Sequence, residues 1–218
     1  REFRRRAAGE LPSDFAARVD ALMKELGAKA ETVATRKASQ IVLEALAPWL
    51  EHGIPIVGLE PSCLYTLRDE YAVLLPEAKR VAASALMFEE FLAQEADAGR
   101  LELKLRPIAR EALLHGHCHQ KAFGAMGAVE RVLGLIPELK VRRIESSCCG
   151  MAGSFGYEAE HYDVSMKMGE LGLLPAVRQA DAQTLIVADG TSCRHQIADG
   201  AQRDALHVAR VLERALVS

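Results

Sequence analysis

The stretch TLIVADGTSC, residues 184–193, contains the pattern that decides the fold. Its first half is apolar and β-branched and predicts a short buried strand, which the Asp-Gly pair ends. Cys193 follows directly after this turn. Residues 56–63, IVGLEPSC, repeat the order of strand, acidic residue, turn, serine and cysteine. This echo indicates a duplicated module, of which the first copy keeps only its tail.

Strands and helices alternate along the rest of the chain. The predicted strands are short runs bounded by glycine, proline or polar residues, at 54–60, 112–115, 141–145, 184–188 and 206–208. Helical spacing of apolar residues predicts helices over about 14–26, 31–51, 77–98, 121–134, 158–172 and 208–216. This alternation predicts an α/β fold with a largely parallel sheet flanked by helices. The single tryptophan, Trp49, lies on the apolar side of its helix and is expected in the core.

The cysteines follow the predicted strands. In parallel α/β sheets, functional groups collect at the carboxyl ends of the strands. We therefore expect all five thiols at one edge of one sheet; they belong to Cys63, Cys118, Cys148, Cys149 and Cys193. Thiolates that converge select soft metals, with zinc and iron–sulfur clusters as the main candidates.

The adjacent pair Cys148-Cys149, followed by Gly150, is the sharpest local feature. Neighbouring side chains diverge, so the two sulfurs suit two irons of one cluster, or one ligand and a vicinal disulfide. Glycine lets the backbone approach and turn its N–H groups toward sulfur, which tunes a cluster's potential. The alternative interpretation is two small thiols that fill buried space.

Three histidines surround Cys118 in HGHCHQK, residues 115–121. Zinc accepts cysteine and histidine together, although the close C-x₂-C pair of zinc fingers is missing. For each histidine separately, a loop or cap role is expected before metal ligation. Imidazoles beside a thiolate also donate hydrogen bonds or relay protons. The same expectation holds for His195, two positions after Cys193.

The bulk composition excludes several classes. Of 218 residues, 50% are hydrophobic and 26% charged, which is typical of a globular protein. A net charge of −3 argues against a nucleic-acid partner. No apolar run reaches the roughly 18 residues that span a bilayer. An odd cysteine count without a secretory leader predicts a cytoplasmic location, with peripheral attachment at the inner membrane left open. The opening REFRRR lacks methionine and suggests a piece of a longer polypeptide.

Four strings carry a family resemblance: GLEPSC at 58–63, HGHCHQK at 115–121, SCCGMAGSFG at 147–156 and ADGTSC at 188–193. In these strings the chain resembles the cysteine-rich CCG-domain family. That family includes heterodisulfide reductase subunits and the iron–sulfur portions of FAD-linked glycolate and D-2-hydroxyacid (D-lactate type) dehydrogenases. The resemblance covers about residues 40–216 and is greatest to the carboxyl-terminal end of the flavin-linked dehydrogenases.

The resemblance implies a set of ligands. The family's pattern is one cysteine, then Cys-Cys-Gly, then C-x-x-C, in two tandem copies. The implied ligands of a four-cysteine [4Fe-4S] centre are Cys118, Cys148, Cys149 and Cys193. Cys63, from the first copy, is a fifth cofactor-binding candidate. Gln196 occupies the last C-x-x-C position, so that ligand is absent, and replacing it by alanine is expected to be near neutral. His117 and His119 are expected as hydrogen-bonding neighbours of the sulfurs.

The same resemblance implies an organisation and a role. Residues 1–39 would be a helical extension, and residues 40–218 a CCG domain with the tail of a first copy and a nearly complete second copy. The chain would be the iron–sulfur portion of a flavin-linked 2-hydroxyacid dehydrogenase. It would pass electrons from FAD on a separate domain or subunit to a quinone or a carrier protein. It would then contribute no catalytic residue and no hydroxyacid site of its own.

Two alternatives remain open at this point. In the first, Cys148 and Cys149 cycle between dithiol and disulfide while a cluster or zinc assists, as in a heterodisulfide reductase. In the second, the same cysteines bind zinc, which stabilises the fold of a non-catalytic assembly subunit.

Overall fold

The computed structural model describes residues 33–217. The helix predicted at 14–26 and most of the proposed extension 1–39 lie outside these residues. The described residues form two compact units, one of residues 33–56 and 63–85 and the other of residues 57–62 and 86–217. The expected boundary between 39 and 40 falls inside the first described helix, Val33–Glu51. The division into an extension and a CCG domain stays a prediction.

Helices and strands alternate through the described residues. The strands are β1 (Ile56–Gly58), β2 (Ala85–Met87), β3 (Glu111–Leu114), β4 (Lys140–Arg143), β5 (Leu185–Val187) and β6 (Ala205–Leu206). The helices are α1 (Val33–Glu51), α2 (Pro61–Arg68), α3 (Glu70–Leu74), α4 (Lys79–Ser84), α5 (Phe88–Asp97), α6 (Cys118–Ala122), α7 (Met126–Leu133), α8 (Tyr162–Glu170), α9 (Leu173–Gln179), α10 (Thr191–Ala201) and α11 (Val208–Ala215). Single 3₁₀ turns cover Pro76–Ala78, Phe155–Tyr157 and Ala159–His161.

The larger unit contains a four-stranded sheet in the order β4-β3-β5-β6. All three strand pairs are parallel, and Leu113 of β3 lies opposite Arg142 of β4 on one side and Ile186 of β5 on the other. The chain runs outward from β3 to β4 and then returns to β5 on the other side of β3. The carboxyl ends of β3 and β5 therefore form a topological switch point, where open α/β sheets bind their ligands. The predicted fold class is confirmed.

Each face of this sheet is covered by apolar helices. Alternate residues of β3 point to opposite faces, so Ala112 and Leu114 pack on one side and Leu113 on the other. The first side is closed mainly by α7 and α11, and the second by α9 and α10. Cys149 and Cys193 belong to the second core cluster. The thiols thus lie at the rim of a packed core, which fixes their positions.

The smaller unit has its own apolar cluster, built from Leu43 of α1 with Leu75, Ala78 and Val81. The expectation for Trp49 is wrong, because 59% of its surface is exposed while Leu43 of the same helix is buried. Among the described helices, none is both long and apolar enough to cross a membrane.

Two further expectations need correction. The helix predicted over 77–98 is interrupted by the extended residues of β2, and a new helix begins at Phe88. The Glu90 carboxylate accepts the backbone N–H of Met87 at 2.9 Å and caps this new start. The five cysteines also do not follow strands of one sheet, because Cys63 follows β1, which belongs to a separate two-stranded sheet with β2.

Candidate metal centre

Cys118 begins helix α6, which follows β3 after the short loop of residues 115–117. His117 caps this helix: its Nδ1 accepts the N–H of His119 at 3.3 Å, while the Gln120 side chain accepts the His117 N–H at 3.0 Å. This reciprocal cap fixes the turn that presents the thiol. Cys118 Sγ is half-buried and lies 3.8 Å from the carbonyl oxygen of Ser147 in the next loop.

Cys148 and Cys149 lie in the loop after β4. Gly150 adopts a φ of +96°, and a Cβ there would overlap the carbonyl oxygen of Ser165 in α8. Only glycine satisfies both conditions, which explains why it follows the pair. The resulting turn directs the Gly150 N–H at Cys148 Sγ, 3.2 Å away. The predicted contact of backbone N–H with sulfur is present here.

Cys193 lies in the first turn of α10, after β5, and is fully buried. The Glu60 carboxylate caps this helix and accepts the Thr191 N–H at 2.9 Å and its hydroxyl at 2.7 Å. Cys193 Sγ lies 3.4 Å from Cys149 Sγ. The backbone of Gly190 lies so close to His117 that a Cβ would approach its ring to 2.6 Å.

The four thiols form one continuous chain of sulfur contacts. Hydrogen bonds from Cys118 and Cys149 hold the pKa of Cys148 far below its ordinary value, and the N–H groups of Gly150 and Ala152 contribute. Hydrogen bonding with Cys148, then with Cys193, raises the pKa of Cys149, and burial adds to this effect.

In the two outer thiols, Cys118 and Cys193, contact with a neighbouring sulfur also shifts the pKa. The contact with Cys148 raises the pKa of Cys118. The contact with Cys149 lowers the pKa of the buried Cys193, with the imidazoles of His115 and His117 adding to the effect. These shifts come mainly from hydrogen bonding between neighbouring sulfurs, and metal binding would displace the protons that the sulfurs share.

Lys121 is a site residue that the sequence pattern did not single out. Its ammonium donates to the carbonyl oxygens of Ser146, at 2.7 Å, and of Ser147. It ties α6 to the loop of the cysteine pair and brings a positive charge near Cys118. The signal was available, because this lysine lies three residues after a thiol within HGHCHQK.

His115 and His117 are both buried beside the sulfurs. One ring nitrogen of His115 and the sulfurs of Cys149 and Cys193 lie within 4.8 Å of one another. Burial lowers the pKa of His117, against the opposing charge of Cys193. The His119 ring lies at an angle to the His117 ring, and the two ring centroids are 5.4 Å apart. His195 faces away into a contact with Tyr157, whose hydroxyl lies 2.6 Å from Nδ1.

Gln196 takes the position of the missing cysteine and is fully buried. Its Nε2 donates to the carbonyl oxygen of Ser165 at 3.0 Å and to its hydroxyl at 3.1 Å. The side chain also packs on the turn at Gly150. These contacts argue against the near-neutral effect expected for its replacement by alanine.

Cys63 lies on α2 with an exposed thiol, in the part of the chain that belongs to the smaller unit. Its proposed role as a fifth ligand stays a prediction.

The structure also contains a buried acidic cluster near the sulfur site. The sequence did not predict this cluster. Glu89 of α5 is fully buried, and neither carboxylate oxygen has a hydrogen-bond donor among the described residues. Oxygens of Glu89 and Asp189 and a ring nitrogen of His207 lie within 4.8 Å of one another. Burial, with repulsion from Asp189, raises the pKa of Glu89 to about 9.

The histidine of this cluster is unsuited to bind a metal. His207 Nδ1 accepts the backbone N–H of Ala209 at 3.0 Å, so Nε2 carries the hydrogen and donates to the carbonyl oxygen of Leu59 at 2.8 Å. Asp189 accepts from Gln120 at 2.7 Å and from the N–H of Val208 at 3.1 Å. The cluster is therefore better suited to hold a proton, carried by Glu89, than a cation.

The donor set of the sulfur site fits a soft metal centre. Four thiols converge from three strand-end loops, and four cysteines are the usual ligands of a [4Fe-4S] cluster. The nearby imidazole also suits zinc. Cysteine and histidine side chains that can bind a metal are thus gathered at the switch point of the sheet.

Comparison with known proteins finds relatives that are dehydrogenases or their subunits. One subunit of the anaerobic glycerol-3-phosphate dehydrogenase of Escherichia coli K12 is 30% identical over 167 residues, which cover 75% of this chain and 41% of that protein. D-2-hydroxyglutarate dehydrogenase of Haemophilus influenzae is 31% identical over 169 residues, covering 74% and 16%. The Escherichia coli K12 D-2-hydroxyglutarate dehydrogenase is 29% identical over 151 residues, covering 66% and 14%.

No family model matches the chain, and no solved structure matches it significantly. The chain spans less than half the length of each of these relatives. They confirm the predicted relationship to the flavin-linked dehydrogenases and their iron–sulfur portions. They also support a dehydrogenase-related electron-transfer role.

Proposed function

From this homology to the iron–sulfur portions of dehydrogenases, we propose that the chain carries electrons through a [4Fe-4S] centre held by its four clustered cysteines. The observation that carries the proposal is the unbroken series of sulfur contacts from Cys118 through Cys148 and Cys149 to Cys193. These residues come from three separate loops, and packing alone does not require their thiols to meet.

The residues around the sulfurs would stabilise charge at the centre and control access to it. When bound, the cluster would accept and release one electron at a time. The N–H groups of Gly150 and Ala152 stabilise the charge on Cys148. The full burial of Cys193 excludes water from one side of the site, whereas half-buried Cys118 leaves the other side accessible. A donor or acceptor would therefore approach from the Cys118 side.

In the complete enzyme, this chain would receive its electrons from a flavin. In the proposed enzyme, FAD on another domain or subunit takes a hydride from a 2-hydroxyacid of the glycolate or D-lactate type, and the electrons leave singly through this centre toward a quinone or carrier protein. The names of the relatives include glycerol-3-phosphate and D-2-hydroxyglutarate. All these compounds carry an alcohol that becomes a carbonyl group, which is the chemistry that the proposal assigns to the flavin partner.

A zinc site is the second candidate, and one distance favours it. Two ligands on a tetrahedral zinc with Zn–S bonds of 2.3 Å lie about 3.8 Å apart. The Sγ atoms of Cys149 and Cys193 lie 3.4 Å apart, close to that spacing. With a zinc ion the chain would be an assembly subunit stabilised by metal and would not carry electrons.

An anaerobic redox titration separates these proposals and the thiol–disulfide alternative. The protein is purified without oxygen and titrated with dithionite while its visible absorption and electron paramagnetic resonance are recorded. Broad absorption that bleaches as a one-electron signal grows supports the proposed function. Colourless protein that contains zinc supports the second candidate. Colourless protein with a Cys148–Cys149 dithiol that oxidises reversibly supports the disulfide chemistry.

A further inference from the structure

We propose that His115 is an additional ligand of the metal centre and binds through Nε2. This inference rests on the proposed metal-binding function and extends the donor set beyond the four cysteines. It departs from the sequence pattern, in which a histidine of this loop is expected as a cap or a hydrogen-bonding neighbour.

The His115 ring is buried, with a polar partner on one nitrogen only. His115 is fully buried, and its Nδ1 lies 3.0 Å from Ser146 Oγ. No nitrogen or oxygen in the described part of the chain makes a hydrogen bond with Nε2. In the tautomer in which Nδ1–H donates to the serine, Nε2 carries a lone pair that a metal can bind. The same ring lies beside Cys193 and helps to lower the pKa of that thiol. Metal-binding histidines have this arrangement, in which the distal N–H is held by a polar partner and the other nitrogen is free to ligate.

The His115 ring also lies close to two of the sulfurs. A ring nitrogen of His115 lies within 4.8 Å of Cys149 Sγ and Cys193 Sγ, which come from two other loops. With bonds of about 2.0 Å to nitrogen and 2.3 Å to sulfur, a nitrogen and a sulfur on one metal atom lie at most about 4.3 Å apart, and two sulfurs at most about 4.6 Å. The three donors therefore surround a point that one metal atom can reach with small adjustments.

The backbone of His115 is fixed at the end of β3. The His115 N–H donates to the carbonyl oxygen of Val187 at 2.8 Å, which continues the pairing of β3 with β5. A Cβ on the next residue, Gly116, would lie 2.5 Å from Met126 Sδ, so the chain turns closely over α7 at this point. A ligand fixed at the end of a strand loses little conformational freedom when it binds.

Because the buried Gln196 is not a thiolate, one expected ligand of the centre is missing and another donor can take its place. It stands where a further thiolate is expected, and its amide is engaged by Ser165. A neutral imidazole adds no negative charge to the centre. Histidine in place of cysteine raises the reduction potential of an iron–sulfur cluster, as in Rieske centres. The His115 ligand would therefore make this centre a better electron acceptor than one with a fifth thiolate in that place.

The test uses the full chain, labelled with ¹⁵N-histidine and purified anaerobically. Pulsed electron paramagnetic resonance of the reduced centre should show the strong coupling of a directly bound nitrogen. His115→Ala should lose at least half of the bound metal and all of this coupling. His115→Cys should retain the metal, lose the coupling and shift the midpoint potential downward. His161→Gln, a matched control whose ring pairs with Glu158, should change none of these.

The outcomes distinguish a failure of the His115 assignment from a failure of the proposed function. Iron-loaded protein with only the weak coupling of a hydrogen-bonded imidazole, or His115→Ala with full metal and an unchanged spectrum, overturns the His115 assignment alone. Protein without iron overturns the proposed function. If that protein contains zinc, X-ray absorption at the zinc edge decides the histidine's role: a nitrogen neighbour that disappears in His115→Cys supports it, and an all-sulfur shell refutes it.

Discussion

Replacing Glu89 by glutamine should stabilise the folded protein, and the gain should grow with pH. Glu89 is fully buried without a hydrogen-bond donor among the described residues, and it faces the carboxylate of Asp189. Burial and this like charge raise its pKa from 4.5 to about 9. The folded protein must therefore keep a proton that the unfolded chain releases. Glutamine has the same shape and a donor for Asp189 but needs no proton.

The magnitude follows from linkage. Between pH 4.5 and 9 the folded state binds one proton more than the unfolded state at this position. Stability therefore falls as pH rises through this window, by about 1.4 kcal/mol per pH unit. At pH 7 the accumulated cost of Glu89 is about 3 kcal/mol. The glutamine variant removes this slope, so the difference in unfolding free energy between variant and parent should widen steadily from pH 5 to pH 8.

Urea unfolding of the reduced, metal-free protein at several pH values measures this difference. Glu95→Gln is the matched control: the same helix carries it, but Glu95 is paired with Arg100 at the surface, which lowers its pKa. That control should show no widening over the same range. A difference between Glu89→Gln and parent that stays constant with pH would show that Glu89 is ionised in the folded state, and the reasoning would fail.

Three further substitutions test how the sulfur loops are built. Cys149→Ser should lose most of the bound metal, measured by elemental analysis, because its sulfur joins the other thiols; full retention would contradict the site. Gly150→Ala should cost about 3 kcal/mol or more in urea unfolding, whereas Gly153→Ala, also at positive φ but with open space around it, should cost about 1–2 kcal/mol; equal costs would refute the overlap. Gln196→Ala should cost about 2–3 kcal/mol because it removes two hydrogen bonds and leaves a cavity; a neutral result would restore the original expectation.

The sequence was sufficient to predict the parallel sheet and the positions of three cysteine loops. Strands such as Leu185–Val187 are short apolar runs ended by turn residues, and this local signal does not depend on the rest of the chain. The end of a strand also determines where the next residues lie, so Cys118 and Cys193 could be placed from their distance to a strand. Periodicity did not reveal that β1 pairs outside the main sheet, because sheet membership depends on non-local contacts.

Side-chain partners were the part that sequence could not supply. Trp49 has the spacing of a core residue, yet the helix turns it outward. The Glu89–Asp189 contact joins positions a hundred residues apart, and no local pattern marks it. The sequence pattern marks Gln196 only as a missing ligand, because its bonds to Ser165 depend on how α8 packs against α10. Positions were thus predictable from the order of elements, and contacts required the packed structure.

The central claim is that the clustered thiols hold an iron–sulfur centre. Iron and acid-labile sulfide, assayed in protein purified without oxygen, test it most directly. The account predicts equal amounts of the two, approaching about four of each per chain, and a large loss of both in Cys193→Ala. Protein that contains neither iron nor sulfide after anaerobic reconstitution, or that keeps both in full without Cys193, would contradict it.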